Sequence, residues 1–157
     1  MQEFNIRFVR LEPMHVASVT ATAHDAETQS WNRLKAWAEP KGLLSQPSLR
    51  VFGYDNCQPD PNHQYTTWIP VENEVQGDGD IRTFDFSGGW YAVTTVHGSD
   101  KISPAWQQLS QWLKRSEYRS GHHQALEEAV GMNGDTPQIT FHLYLPIDRP
   151  PQDSSAQ

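Results

Sequence analysis

The chain reads as the same segment written twice. His15-Val16-Ala17-Ser18-Val19-Thr20 lies over Trp90-Tyr91-Ala92-Val93-Thr94-Thr95 at an offset of 75 residues. The same offset sets Asp25 on Asp100, Trp31 on Trp106, Leu34 on Leu109 and Trp37 on Trp112. One residue later in register, Trp68-Ile69-Pro70-Val71 falls on Tyr144-Leu145-Pro146-Ile147. Tryptophan is rare, so two coincident pairs are hard to ascribe to two generic helices. A repeat of this length implies two copies of one supersecondary unit, each needing neighbours to bury its apolar face.

Each copy carries the same succession of patterns. A β-rich run comes first, Val16–Ala23 in one half and Trp90–His97 in the other. An amphipathic helix follows. Its stripe is Trp31, Leu34, Trp37 and Ala38 in the first copy, with Pro40 as its stop. In the second copy the stripe is Trp106, Leu109, Trp112 and Leu113, with Ser103 as the expected N-cap and Pro104 at the first helical position. These Trp residues at helical spacing are read as core. Two strands close each half, Ser48–Tyr54 with Tyr65–Val71, and Ala125–Val130 with Ile139–Ile147. Asn5–Leu11 and Ile81–Phe86 are read as the leading strand of each half. Turn residues cluster in Asp55–Gln64, Glu74–Asp80 and Gly131–Pro137. The expected fold is α+β, a tandem duplication of a strand–helix–strand–strand unit. It has antiparallel sheets, one long helix per half, and a cleft at a pseudo-twofold axis. One domain is expected over 1–150, with pseudo-repeats 5–73 and 81–147 and a disordered tail over 151–157.

Composition narrows the function. The 157 residues carry a net charge of -7 and contain a single cysteine, Cys57. An acidic chain with no basic cluster is not expected to bind nucleic acid directly, and its field favours cationic ligands or basic partners. No apolar run approaches a membrane span, and Met1–Phe8 lacks a signal-peptide pattern. One cysteine forms no internal disulfide, so a cytoplasmic location is expected. No G-x-S-x-G, H-E-x-x-H, phosphate loop or C-x-x-C motif is present. His122-His123 and Cys57 with His63 are too sparse for a metal or nucleophile assignment, and no cofactor or metal is expected.

Five stretches, in this order and spacing, resemble the GyrI-like small-molecule-binding family. They are Phe52-Gly53-Tyr54-Asp55-Asn56, Tyr65–Val71, Gly88-Gly89-Trp90-Tyr91-Ala92-Val93, the helix from Trp106 to Tyr118, and His142–Ile147. That family includes effector-binding domains of AraC-type and MerR-type regulators and the stand-alone DNA gyrase inhibitory proteins. The resemblance implies a duplicated fold that takes hydrophobic, often cationic, small molecules between its halves. It also implies a pocket glutamate in the penultimate strand, where Glu127 stands in Gln124-Ala125-Leu126-Glu127. The family often has a second acid in the last strand; here His142 takes that position.

Strand alternation supplies an independent reading of the last strand. His142 and Tyr144 share one face, and Phe141, Leu143 and Leu145 share the other, which should meet the helix. By the repeat, Thr66 and Trp68 mirror His142 and Tyr144. The candidate ligand-binding set is therefore Glu127, His142, Tyr144, Trp68 and Thr66, with Tyr54 and Trp90 from the matching stretches. Aromatic walls around a carboxylate suit a flat cation.

Three functions are weighed. The first is a stand-alone protein that senses or sequesters small hydrophobic or cationic molecules, since a helix-turn-helix does not fit before Val9. The second is a hydrolase of electrophilic cyclopropane-type molecules with Glu127 as general base. The third is a gyrase-inhibitor-like module with a protein partner. The sequence does not specify an oligomeric state.

Overall fold

The computed structural model describes residues 4–59, 61–130 and 139–151. Eight strands and two α-helices run in the order β1 (Arg7–Leu11), β2 (Met14–Thr22), α1 (Ala26–Ala38), β3 (Val51–Asp55), β4 (Gln64–Pro70), β5 (Arg82–Phe86), β6 (Gly89–His97), α2 (Ile102–Arg115), β7 (Leu126–Val130) and β8 (Thr140–Pro146). The expected hairpin loop over 131–137 and the tail beyond Pro151 lie outside the described residues. Among the described residues no helix is long and apolar enough to cross a membrane.

The chain forms two compact units. Pro13–Phe86 is one; the chain up to Glu12 together with the chain from Ser87 is the other. In the first unit β4 pairs with both β3 and β2, and β2 pairs with β5, every pair antiparallel. The second unit repeats the scheme: β8 pairs with β7 and β6, and β6 with β1.

The duplicated unit is thus the one the repeat implies, with one difference in its leading strands. β1 precedes the first half in sequence but pairs with β6 of the second, Arg7 opposite Val93 and Leu11 opposite Gly89. β5 precedes the second half but pairs with β2 of the first, Arg82 opposite Ser18 and Phe86 opposite Met14. The boundaries 5–73 and 81–147 follow the sequence repeat; the folded units exchange that strand. Local chemistry explains why β1 does not fold back on β2. Only Glu12 and Pro13 separate them. Both favoured two-residue hairpins need positive φ at the first position, which suits glycine and not Glu12, and type I′ needs it at the second as well, where the proline ring holds φ near -65°. At the other crossover, Gly88 has φ +77°, and a Cβ there would run into the carbonyl oxygen of Leu11. Only glycine fits that approach.

Each helix covers one face of its own unit's strands, α1 on β2 and β4 and α2 on β6 and β8. In α1 the buried positions are Ala26, Ser30, Leu34 and Ala38. In α2 they are Ala105 and Leu109, which pack with Val96 and Leu143, flanked by Phe4, Ile6, Phe141 and Leu145. The apolar face of β8 meets the helix as alternation requires. The tryptophans sit differently from expectation. Trp31, Trp37, Trp106 and Trp112 are half-buried flanks, and the contact line is Leu34 or Leu109 with small residues on either side. Small side chains let a helix approach its sheet, and the wide indoles then close the sides. Trp37 carries Lys41 over its ring at 5.1 Å, and Trp112 stacks on Tyr118 at 6.0 Å.

The helix ends show a second difference. α2 begins at Ile102 after a 3-10 turn over Ser99–Lys101, so Ser103 lies inside the first turn and is not the N-cap. Pro104 is accommodated because the first turn's N–H groups have no intrahelical acceptor. α1 ends at Ala38, and Pro40 falls in a following 3-10 turn closed by Gly42 at φ +73°.

The exchanged strand β5 is tied to β2 by His15, whose Nδ1 lies 2.7 Å from Asp85 Oδ1 and whose Nε2 lies 3.3 Å from the Val75 carbonyl. The hydrogen bond to Asp85 raises the imidazole above its ordinary 6.5, against a smaller opposing effect of burial. A raised folded-state value adds stability that is fully present below pH 6.5 and fades as pH rises through the folded value. Asp85→Asn should therefore lower the melting temperature at pH 6 and converge on the parent by pH 9. Melting curves whose separation is constant across that range would contradict this linkage.

Candidate ligand-binding site

The β7–β8 hairpin decides which acid occupies which face. Glu127 is opposite Leu143, and Glu128 is opposite His142. Leu143 belongs to the core under α2, so Glu127 lies on the helix face. Its Oε2 accepts the Trp106 indole N–H at 2.9 Å. The structure does not place Glu127 beside His142 and Tyr144. The acid on their face is Glu128, which is only 6% exposed.

Glu128 Oε1 accepts the Tyr144 hydroxyl at 2.6 Å. The Tyr144 ring meets Tyr91 edge to face at 5.4 Å. Tyr91 donates to the Gln124 carbonyl at 2.5 Å, and burial pushes its phenol above the ordinary value of 10, so it stays protonated. Behind it the His123 ring lies 4.7 Å from Tyr91, with Nε2 2.7 Å from the Trp90 carbonyl. Trp90 alternates onto the opposite face from Tyr91; Tyr91, Val93 and Thr95 run with Tyr144 and His142. At the end of this row His142 Nδ1 lies 2.9 Å from Thr95 Oγ1 and 3.3 Å from an Arg7 nitrogen. Arg7 also donates to Thr95 Oγ1 at 2.9 Å. A guanidinium has only donors, so Nδ1 is the acceptor in this arrangement.

The other unit carries an aromatic version of the same face. Trp68 is opposite Phe52 and Ser18, and Thr66 is opposite Tyr54 and Thr20. Trp68 is 2% exposed and meets Phe86 at 5.0 Å, Phe84 at 5.2 Å and Tyr54 at 5.7 Å. Its buried indole N–H has no hydrogen-bond acceptor among the described residues. Thr66 Oγ1 lies 2.7 Å from Thr20 Oγ1 and accepts Asn56 Nδ2 at 3.1 Å. A depression of about 280 Å3 opens beside β2, lined by Ser18, Thr20, Arg33, Asp80 and Arg82; Trp68 does not line it.

The two faces correspond position by position. The Thr20–Thr66 contact recurs as Thr95–His142. Cross-strand register makes Tyr54 the counterpart of Glu128, because each lies opposite the member of that contact on the last strand. Glu128, Tyr91, Phe84 and Phe86 were not among the sequence candidates. Alternation carried across the hairpin would have found Glu128, and the exchanged β5 supplies both phenylalanines.

Two repeats of one unit of four strands and a helix, each with a helix-covered face and a face of buried aromatics and polar groups, define the fold class. The chain belongs to the GyrI-like family: the GyrI-like small molecule binding domain matches residues 4–148. No functionally curated protein is detectably similar in sequence. Among solved structures it is similar to the C-terminal domain of EcmrR, with TM-score 0.72, 15% identity and 94% of this chain covering 99% of that one. Against EcmrR in its DNA complex the TM-score is 0.72 at 14% identity over 93% of this chain, which spans 58% of the EcmrR chain. It is also similar to a hydrolase from Listeria innocua, with TM-score 0.65, 9% identity and 91% of each chain covered. SAV2435 bound to tetraphenylphosphonium matches with TM-score 0.50, 10% identity and 94% of each chain covered.

A buried carboxylate is costly unless hydrogen-bonded. Removing the Tyr144 hydroxyl with Tyr144→Phe should destabilise the protein by about 1–3 kcal/mol in urea unfolding. Trp106→Phe, which strips a donor from the less buried Glu127, should cost less. The reverse ranking would show that Glu127 is the more demanding acid.

Proposed function

We propose that this protein binds hydrophobic cations, with Glu128 as the counter-charge. The observation that carries the reading is a nearly fully buried carboxylate held by the Tyr144 phenol, with a second tyrosine ring packed edge-on behind it. A carboxylate withdrawn from water interacts strongly with an incoming positive charge, because the surrounding dielectric is low. Aromatic faces add attraction to a cation and contact for its apolar body. His142 stands where relatives often have a second acid, so among the described residues Glu128 is the one carboxylate of this face. SAV2435, a protein of similar fold, is bound to tetraphenylphosphonium, which is such a cation.

The biological use in this reading is effector sensing or sequestration of drug-like molecules, consistent with the likeness to the EcmrR C-terminal domain. The Listeria innocua hydrolase of similar fold supports a second use of the same face. There Glu128 rather than Glu127 would direct water at an electrophilic ligand.

Tetraphenylphosphonium should raise the melting temperature in a saturable way. Glu128→Gln keeps the side-chain shape and removes the charge, and it should weaken binding about tenfold or more, a loss of roughly 1.4 kcal/mol. Glu127→Gln should bind like the parent. Undiminished binding in Glu128→Gln, or loss confined to Glu127→Gln, would overturn the assignment. Turnover of a cyclopropane-bearing electrophile to its water adduct, lost in Glu128→Gln, would establish the hydrolytic use.

A further inference from the structure

Away from the aromatic face of the Pro13–Phe86 unit, three potential metal ligands converge. Glu27 lies in the first turn of α1, Asp55 ends β3, and His63 immediately precedes β4. One donor atom from each lies within 4.8 Å of the other two. His63 Nε2 is 3.1 Å from both Glu27 carboxylate oxygens, and its Nδ1 is 4.0 Å from Asp55 Oδ1. The backbone beneath them is fixed: His63 O accepts the Ala23 N–H at 2.9 Å, and the Asn56 N–H donates to Gln64 O at 3.1 Å.

We propose that Glu27, Asp55 and His63 form a divalent transition-metal site, matched to Zn2+, which pins the β3–β4 loop to the start of α1.

Three arguments support it. The first is the donor set. One imidazole and two carboxylates are ordinary zinc ligands at about 2.0–2.2 Å, which places neighbouring donors roughly 3.4 Å apart. Mg2+ and Ca2+ favour six or more oxygens, and an imidazole counts against them. Two carboxylates also neutralise the ion's charge, and the net charge of -7 draws cations toward the chain.

The second argument is internal comparison. The repeat places Ile102 at the position of Glu27 and Ile139 at that of His63. The backbone bond Ala23 N–H to His63 O recurs as Gly98 N–H to Ile139 O, also 2.9 Å, which confirms the match. Ile139 is buried and Ile102 packs on the α2 core. The fold therefore fills these positions with hydrocarbon in one half and with metal-capable side chains in the other.

The third is energetic. Glu27 and Asp55 are about half exposed, and ion pairs of that kind contribute little stability in water. Exposed pairs of this kind give little structural reason for polar side chains where the other half has Ile102 and Ile139.

Cys57 is excluded from the set. Its N–H donates to Asp55 Oδ1 at 2.6 Å, but its thiol does not join the converging atoms.

The full chain, stripped with a chelator, is titrated with ZnCl2 against a chromophoric competitor. The expected result is one saturable equivalent, retained in Cys57→Ser and weakened about tenfold or more in His63→Ala. Glu27→Gln, an exposed change that leaves α1 intact, should also weaken it several-fold. Zn2+ at about a hundred times its Kd should raise the melting temperature of the parent by several degrees, and MgCl2 should not. His63→Gln keeps a hydrogen-bonding side chain and guards against a folding artefact in the alanine variant. Absence of saturable binding, binding that survives both His63 variants, or binding lost in Cys57→Ser would overturn the site.

Discussion

The pairing of β1 with β6 and of β5 with β2 is the interaction on which the rest depends. Each leading strand completes the backbone hydrogen bonding of β6 or β2 on the side away from β8 or β4. The exchanged strands also carry side chains the faces need. β1 brings Arg7 to Thr95 and His142. β5 brings Phe84 and Phe86 to Trp68. Neither face is complete without a strand that belongs, in sequence, to the other half. The exchange rests on small local constraints, a proline that rejects a tight hairpin and a glycine that passes under a carbonyl oxygen.

Much of this fold was legible in the sequence because period and repeat are strong signals. The duplication, the helix positions and the apolar face of β8 follow from spacing alone. The strand exchange does not. A repeat reports which segments are alike, and it is silent on which copy a segment pairs with. The tryptophan stripes misled for a related reason. Periodicity picks out the largest apolar side chains and so favours Trp over Ala and Ser, yet the contact line is Leu34 or Leu109 with Ala and Ser, and the indoles fall to its sides. Ser30 shows how far that goes: fully buried, it satisfies its hydroxyl on Thr67 Oγ1 at 2.7 Å. The second half has Ala105 at the equivalent place, facing a core that includes Leu143, and needs no such bond.

The site was half legible. Tyr144 and His142 were found by alternation within one strand, and the structure keeps them on one face with Glu128. The choice between Glu127 and Glu128 needed the pairing between two strands, and a slip of one residue there moves a side chain to the opposite face. Two adjacent glutamates make that choice invisible to composition. Trp90 and Tyr91 pose the same problem on β6, and in both pairs the second residue is the one on Tyr144's face.

The asymmetry of the two faces is the strongest physical argument for a ligand. Where the first half has Tyr54 packed on Trp68, the second has a buried acid. The tyrosine shows that an aromatic residue serves the fold at that position. A carboxylate there gives up hydration, and the short bond from Tyr144 offsets part of that loss. The second half has kept charge in a place where the scaffold demonstrably accepts a ring. A buried acid at a position where the other half carries a ring is the feature that the proposed cation-binding role would use.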